Sequence, residues 1–177
     1  ITESPLFALP NVVVTPHLGA STREAQDKAG ESIADMVQLA LAGDFVPYAV
    51  NVDASEANET LRPFLPLAER LGVLFADVAG GTPAWIEVEA SGEIAAYDTR
   101  ILTLSAMKGF LSRLTGESVT YVNAPSLAQA RNIEVRDARR EDAEHQDYIN
   151  LITLRTDKHN IAGRLTGRRR EARIVTI

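Results

Sequence analysis

Three observations predict an α/β chain that begins as the tail of a doubly wound sheet region and continues as a two-layer α+β domain. A short β run, Val12-Val13-Val14, stops at Pro16 and leads through His17 into a long helical pattern, the strand-then-helix order of such sheets. From about residue 60 onward the apolar spacing reads helix, strand, helix, strand, helix and then several strands, the order of helices packed on a mixed, mainly antiparallel sheet. Charge divides at the same place, with nine acidic against two basic residues through Thr60 and fifteen against sixteen from Leu61.

Ser4-Pro5 reads as a turn, and Leu6-Phe7 with Leu9 as an apolar plug. Residues 12–14 are β-branched and continuously apolar, which suits a strand buried on both faces, and Pro16 has no N–H with which to continue a ladder. Ser21 and Glu24 spell an S-x-x-E capping box. A helix is therefore predicted over residues 22–41, with Ala25, Ala29, Ile33, Met36 or Val37, and Ala40 on one side and Gly43 as C-terminal cap. His17 falls on the loop between strand and helix, where α/β proteins keep their chemistry. A lone histidine is nonetheless more often structural than catalytic, and the loop geometry alone leaves both readings open. Residues 45–52 read as a connector, and the domain boundary is placed after Val52, giving units 1–52 and 53–177.

In the second unit a helix over residues 62–78 turns Leu65, Ala68, Leu71 or Gly72, and Phe75 or Ala76 inward and stops at Gly80-Gly81-Thr82-Pro83. That glycine pair precedes a strand, whereas phosphate loops open a helix, so it reads as a turn. Residues 84–90 form a strand whose Glu87/Glu89 alternation places one face in water. A helix over 101–114 turns Leu102, Ala106, Phe110 or Leu111, and Leu114 inward, and a strand follows at 119–122. A short helix then runs to about Arg131, with Asn123 as N-cap and Pro125 early. Residues 133–136 form a strand that dissolves into a charged stretch, 137–147, without periodicity. Strands at 148–156, 160–166 and 173–177 complete the order, the last two separated by Gly167-Arg168-Arg169-Arg170.

With no cysteine among 177 residues, a disulfide framework and a cysteine-ligated metal are excluded; no metal site is expected, and a cytoplasmic setting fits. There is no apolar run of membrane-spanning length and no basic-then-apolar signal order at the N-terminus. A net charge of −6 argues against nucleic acid as partner.

The run Thr15-Pro16-His17-Leu18-Gly19-Ala20-Ser21-Thr22 with Glu24-Ala25-Gln26 resembles the catalytic-histidine segment of the D-3-phosphoglycerate dehydrogenases, within the D-2-hydroxyacid dehydrogenase family. Ser4-Pro5-Leu6-Phe7, Leu9-Pro10-Asn11 and the run from Phe45 to Val52 fit the same resemblance. Glu93-Ile94, Tyr97-Asp98-Thr99-Arg100, the run from Leu104 to Leu111, and Tyr121-Val122-Asn123-Ala124-Pro125 resemble the intervening, allosteric substrate binding domain of the family's long form. The resemblance implies that His17 takes the C2 hydroxyl proton of 3-phosphoglycerate while hydride passes to NAD, in the first step of L-serine biosynthesis. It also implies that His17 and the backbone of Leu18, Gly19 and Ala20 approach the nicotinamide end of NAD. The family's orienting glutamate and substrate-clamping arginine lie upstream of this motif, and no Gly-x-Gly-x-x-Gly occurs in the chain. The chain is thus expected to be mainly regulatory, inactive alone, and a partner of the rest of the same enzyme in a homo-oligomer.

For the second unit the resemblance implies binding of a phosphorylated small molecule or phosphate. Lys108, Arg131, Arg136, Arg139, Arg140, His145, Arg164 and the run Arg168-Arg169-Arg170 supply positive charge. Arg139, Arg140 and His145 are the preferred candidates because they occupy the irregular stretch a ligand could order. The rival reading is ordinary surface charge balanced by Glu141, Asp142, Glu144 and Asp147. A different class of function, a free-standing non-catalytic anion-binding or oligomerisation module in which His17 is a remnant, stays open at this stage.

Overall fold

The computed structural model of the chain describes residues 3–15, 18–42, 44–46, 60–140 and 150–177. Four α-helices and five strands are formed among them: α1 (Arg23–Leu41), α2 (Leu65–Ala79), β1 (Trp85–Gly92), α3 (Arg100–Thr115), α4 (Ala124–Ala130), β2 (Glu134–Arg140), β3 (Asn150–Arg155), β4 (Asn160–Thr166) and β5 (Glu171–Thr176). The strands build one sheet in the order β2-β1-β3-β4-β5. β1 and β2 run parallel and the other three pairings are antiparallel. This is the mixed, mainly antiparallel two-layer fold that the element order predicts. A parallel pair needs a long crossover, and α3 and α4 supply it.

Successive strand residues face opposite sides, so the registers sort the sheet into two faces. One face carries Ile86, Val88, Ala90, Ile152, Leu154 and Ile161, all buried. α3 lies against β1 and β2, and α2 against β3 and β4. The helices meet this face through Leu67, Ala68, Leu71, Phe75, Leu102, Ala106 and Phe110, with the Phe75 and Phe110 rings 6.2 Å apart.

α2 and α3 approach each other through paired glycines. A Cβ added at Gly72 would fall 2.8 Å from the Phe110 amide nitrogen and closer still to the Ala106 carbonyl oxygen. At Gly109 it would fall 2.8 Å from the Glu69 carbonyl carbon and closer to its oxygen. Only a residue without Cβ permits this separation. Gly80, at φ 64°, and Gly116, at φ 69°, end α2 and α3 in the left-handed conformation.

Several local expectations are corrected. Residues 12–15 form no strand, and Val13 is 90% exposed; a strand needs a hydrogen-bonded neighbour, and every strand of the described sheet comes from residues 85–176. The Leu6, Phe7 and Leu9 plug is exposed too, Leu6 and Phe7 lying within a 3-10 turn at Pro5–Ala8 and Leu9 directly after it. The N-cap of α1 is Thr22, whose Oγ1 accepts the Ala25 N–H at 3.2 Å. The capping box on Ser21 and Glu24 is therefore replaced by a cap one residue later. The Gly43 cap and the connector beyond residue 46, with the boundary after Val52, lie outside the described residues.

The strand expected at 119–122 is a turn. Val119 and Tyr121 are buried, but the Thr120 N–H donates to Asn123 Oδ1 at 2.7 Å and the Asn123 N–H to Thr120 Oγ1 at 3.2 Å. This reciprocal pair satisfies the backbone locally, so Asn123 holds the N-cap position of α4 without capping it by its side chain. β2, finally, continues through Asp137 to Arg140, where the charged stretch hid the periodicity.

Candidate functional site

The sequence-predicted site splits between the two ends of the chain. In the first, the Ser21 N–H closes a turn on the Leu18 carbonyl at 3.0 Å, and Thr22 starts α1 directly after it. Leu18, Gly19 and Ala20 are exposed, and a Cβ added to Gly19 would meet nothing within 4 Å. The loop therefore offers open backbone on which a flat ring can lie. Pro16 and His17 are outside the described residues.

The second site is the sheet face opposite the helices. Register rows place Glu134, Arg136 and Arg140 of β2, Trp85, Glu87, Glu89 and Ser91 of β1, and Thr153 and Arg155 of β3 on this face. The water-facing alternation expected of Glu87 and Glu89 is corrected here. Glu89 is only 8% exposed, because arginines from the neighbouring strands lie across it. Arg155 Nε donates to Glu87 Oε1 at 2.7 Å, and its Nη2 stands 3.5 Å from Glu89 Oε2. Arg140 reaches Glu89 from the other side at 3.4 Å, and the Ser91 hydroxyl donates to Glu89 Oε1 at 3.2 Å. Two carboxylates and two guanidiniums thus compensate one another across three strands, which a half-buried carboxylate requires. At the strand end, Arg136 stacks 4.6 Å over the Trp85 ring while bonding Glu134, whose carboxyl it holds below the ordinary carboxylate value.

The same alternation separates the candidate cations. Arg139 and Arg140 are adjacent in sequence and so project from opposite faces of β2. Arg140 is engaged by Glu89, whereas Arg139 turns to the helical side, where its Nη1 donates to the Tyr97 carbonyl at 3.4 Å. One phosphate cannot be gripped by both. His145 lies outside the described residues.

Near Arg139, Asp137 receives the hydroxyls of Thr99 and Thr103 at the start of α3. Asp98 is hydrogen-bonded by Arg100, which holds its carboxyl below the ordinary value, with Arg139 adding a smaller pull in the same direction.

A shallow depression of about 470 Å³ opens instead between β4 and β5, lined by Arg164, Thr166, Arg173, Ile174 and Val175. Arg164 and Arg173 are register partners and share a face. Sequence reasoning named Arg164 only among the general cations and passed over Arg173. The usable signal is the register that a tight turn imposes: Gly167 and Arg170, both at positive φ, fold β5 back onto β4. Among the described residues no group of three His, Cys, Asp or Glu side chains is arranged to hold a metal ion, and no helix is long and apolar enough to cross a membrane.

The family model described as the D-3-phosphoglycerate dehydrogenase intervening domain matches residues 60–177. The chain is 46% identical over 179 aligned residues to the D-3-phosphoglycerate dehydrogenase of Mycobacterium leprae (strain TN), covering 99% of this chain and 34% of that protein. It is 38% identical to that of Synechocystis sp. (92% of this chain, 30% of the relative) and 35% identical to that of Methanocaldococcus jannaschii (88% and 30%). The chain thus spans about a third of the length of these relatives.

Proposed function

Because this chain belongs to the D-3-phosphoglycerate dehydrogenase family, with residues 60–177 as its intervening domain, we propose that it works as part of an NAD-dependent dehydrogenase that oxidises 3-phosphoglycerate to 3-phosphohydroxypyruvate in L-serine biosynthesis. The observation that carries this reading is a similarity running over 99% of the chain and including the Thr15 to Gln26 motif.

In this reading His17 accepts the C2 hydroxyl proton, for which an imidazole titrating near neutrality is suited. NAD, when bound, takes up the hydride. The exposed Leu18-Gly19-Ala20 backbone lies along its nicotinamide end, and the open space at Gly19 fits that approach. The phosphate-gripping glycine fingerprint is absent from the 177 residues, so the chain supplies one wall of the cofactor site. The unit 1–52 carries this wall and α1, and 53–177 is the regulatory unit. The enzyme is cytoplasmic and homo-oligomeric.

The regulatory unit binds a phosphorylated small molecule or phosphate in the Arg164/Arg173 depression, where two guanidiniums on one face match phosphate oxygens. A bound anion there competes with Glu171, which pairs with Arg173 at 2.7 Å.

Two measurements test these assignments. The 177-residue chain given 3-phosphoglycerate and NAD is expected to produce no NADH above background; production lost in His17→Ala would overturn its inactivity alone. Calorimetric titration with 3-phosphohydroxypyruvate is expected to give heat that Arg173→Gln removes and Arg139→Gln retains. A heat lost in Arg139→Gln instead would return the anion to the other end of the sheet.

A further inference from the structure

One residue of the N-terminal region behaves unlike the rest. None of the residues of α1 is buried, and Ile33 and Leu41 are 63% and 84% exposed. Phe45, four residues beyond the helix, is 9% exposed and belongs to the same core cluster as Phe75 and Phe110. Its ring meets Tyr121 edge-on, with centroids 5.8 Å apart and planes at 73°, the favourable arrangement for two quadrupoles.

Tyr121 is itself held by two further contacts. Its hydroxyl lies 3.2 Å from Ser105 Oγ, which donates to the Leu65 carbonyl at the start of α2 at 2.7 Å. Lys108 stands 5.3 Å over the ring and is fixed by Glu69 of α2 at 3.1 Å. The receptor for Phe45 is therefore a rigid ring tied to both α2 and α3. On the other side, the Asp44 N–H donates to the Leu39 carbonyl at 2.9 Å and the Ala42 N–H to the Gln38 carbonyl at 3.0 Å, so the residue before Phe45 is tied into the last turn of α1.

We propose that Phe45 is an aromatic latch, seated on Tyr121, that holds the exit of α1 on the 60–177 domain. Seated, it makes the last turn of α1 move with α2 and α3; unseated, it releases that turn and leaves the domain's own sheet and helices intact. Burial raises the Tyr121 phenol above its ordinary value, in keeping with a ring covered from solvent.

Amide hydrogen exchange on the 177-residue chain tests the latch. In Phe45→Ala, exchange at Ala42 and Asp44 is expected to quicken on the order of tenfold, the equivalent of one aromatic pair with its burial, while amides of β1 and α3 keep their rates. Phe45→Leu, which fills the seat without a ring edge, is expected to quicken the same two amides about threefold and serves if the alanine variant does not fold. Unchanged rates at Ala42 and Asp44 would overturn the proposal. So would an even loss of protection across the core, which would make Phe45 a piece of the core and not a latch.

Discussion

The N-terminal region and the 60–177 domain use the same apolar residue types to opposite effect. In the domain, Ile86, Ile152, Ile161 and Phe110 are inaccessible, because two helices and a sheet close over them. In residues 3–42, Leu6, Val13, Ile33 and Leu41 remain exposed, although the apolar spacing along α1 is as regular as that along α2. Apolar periodicity records which side of an element seeks cover; whether cover exists depends on what lies opposite.

Paired substitutions sharpen that contrast. The largest effect is expected from Phe110→Ala, at about 3–5 kcal/mol of lost stability, whereas Ile33→Ala in α1 should stay within about 0.5 kcal/mol; urea denaturation reads both. Equal costs would mean that α1 is covered after all.

Glycines repeat the comparison with opposite signs. Gly109→Ala drives a methyl into the Glu69 backbone and should cost about 1–3 kcal/mol. Gly30→Ala, with nothing within 4 Å of the added methyl, should stabilise α1 by about 0.5–1 kcal/mol. A helicity gain at Gly30 and a fall in the unfolding midpoint at Gly109 are the two readouts.

Within α1, Thr22→Ala should cost about 1 kcal/mol of local helix stability and Ser21→Ala much less, seen as faster exchange in the first turn. The reverse order would restore the capping box on Ser21.

The smallest effect is electrostatic. Arg100 lowers the Asp98 carboxyl, so the contribution of Asp98 to stability is present above its ordinary value of 3.8 and is lost as pH falls through the lower folded value. Arg100→Ala should move the carboxyl carbon titration of Asp98 upward; an unmoved titration would remove Arg100 as the cause.

Much of the domain was legible because each element carries its own signal. Leu65, Ala68, Leu71 and Phe75 recur at helical spacing, and Gly80 sits where α2 turns left-handed. The illegible parts have specific causes. The second half of β2 hid behind Asp137, Arg139 and Arg140, since charges on an edge strand break apolar alternation. The turn at Thr120 and Asn123 looked like a strand because Val119 and Tyr121 are buried two apart, while side-chain bonds took the backbone's partners. Of the candidate site, the turn from Leu18 to Ser21 ahead of α1 could be read locally. The anion candidates could not, because Arg139 and Arg140 read as part of an irregular stretch, whereas β2 carries both and a strand sends neighbours to opposite faces.

The sequence by itself determined the fold class, the helical stripes, the Gly80 stop of α2 and the family motif around His17, all of which depend on residues near one another along the chain. Only the tertiary structure decided that Arg164 and Arg173 share a face, that Glu87 and Glu89 are covered by Arg155 and Arg140, and that Phe45 is seated on Tyr121. Each of those depends on strand order, register or packing across the fold. The energy that fixes these arrangements is the burial of the whole apolar face, shared among distant segments, so no single stretch of sequence carries it.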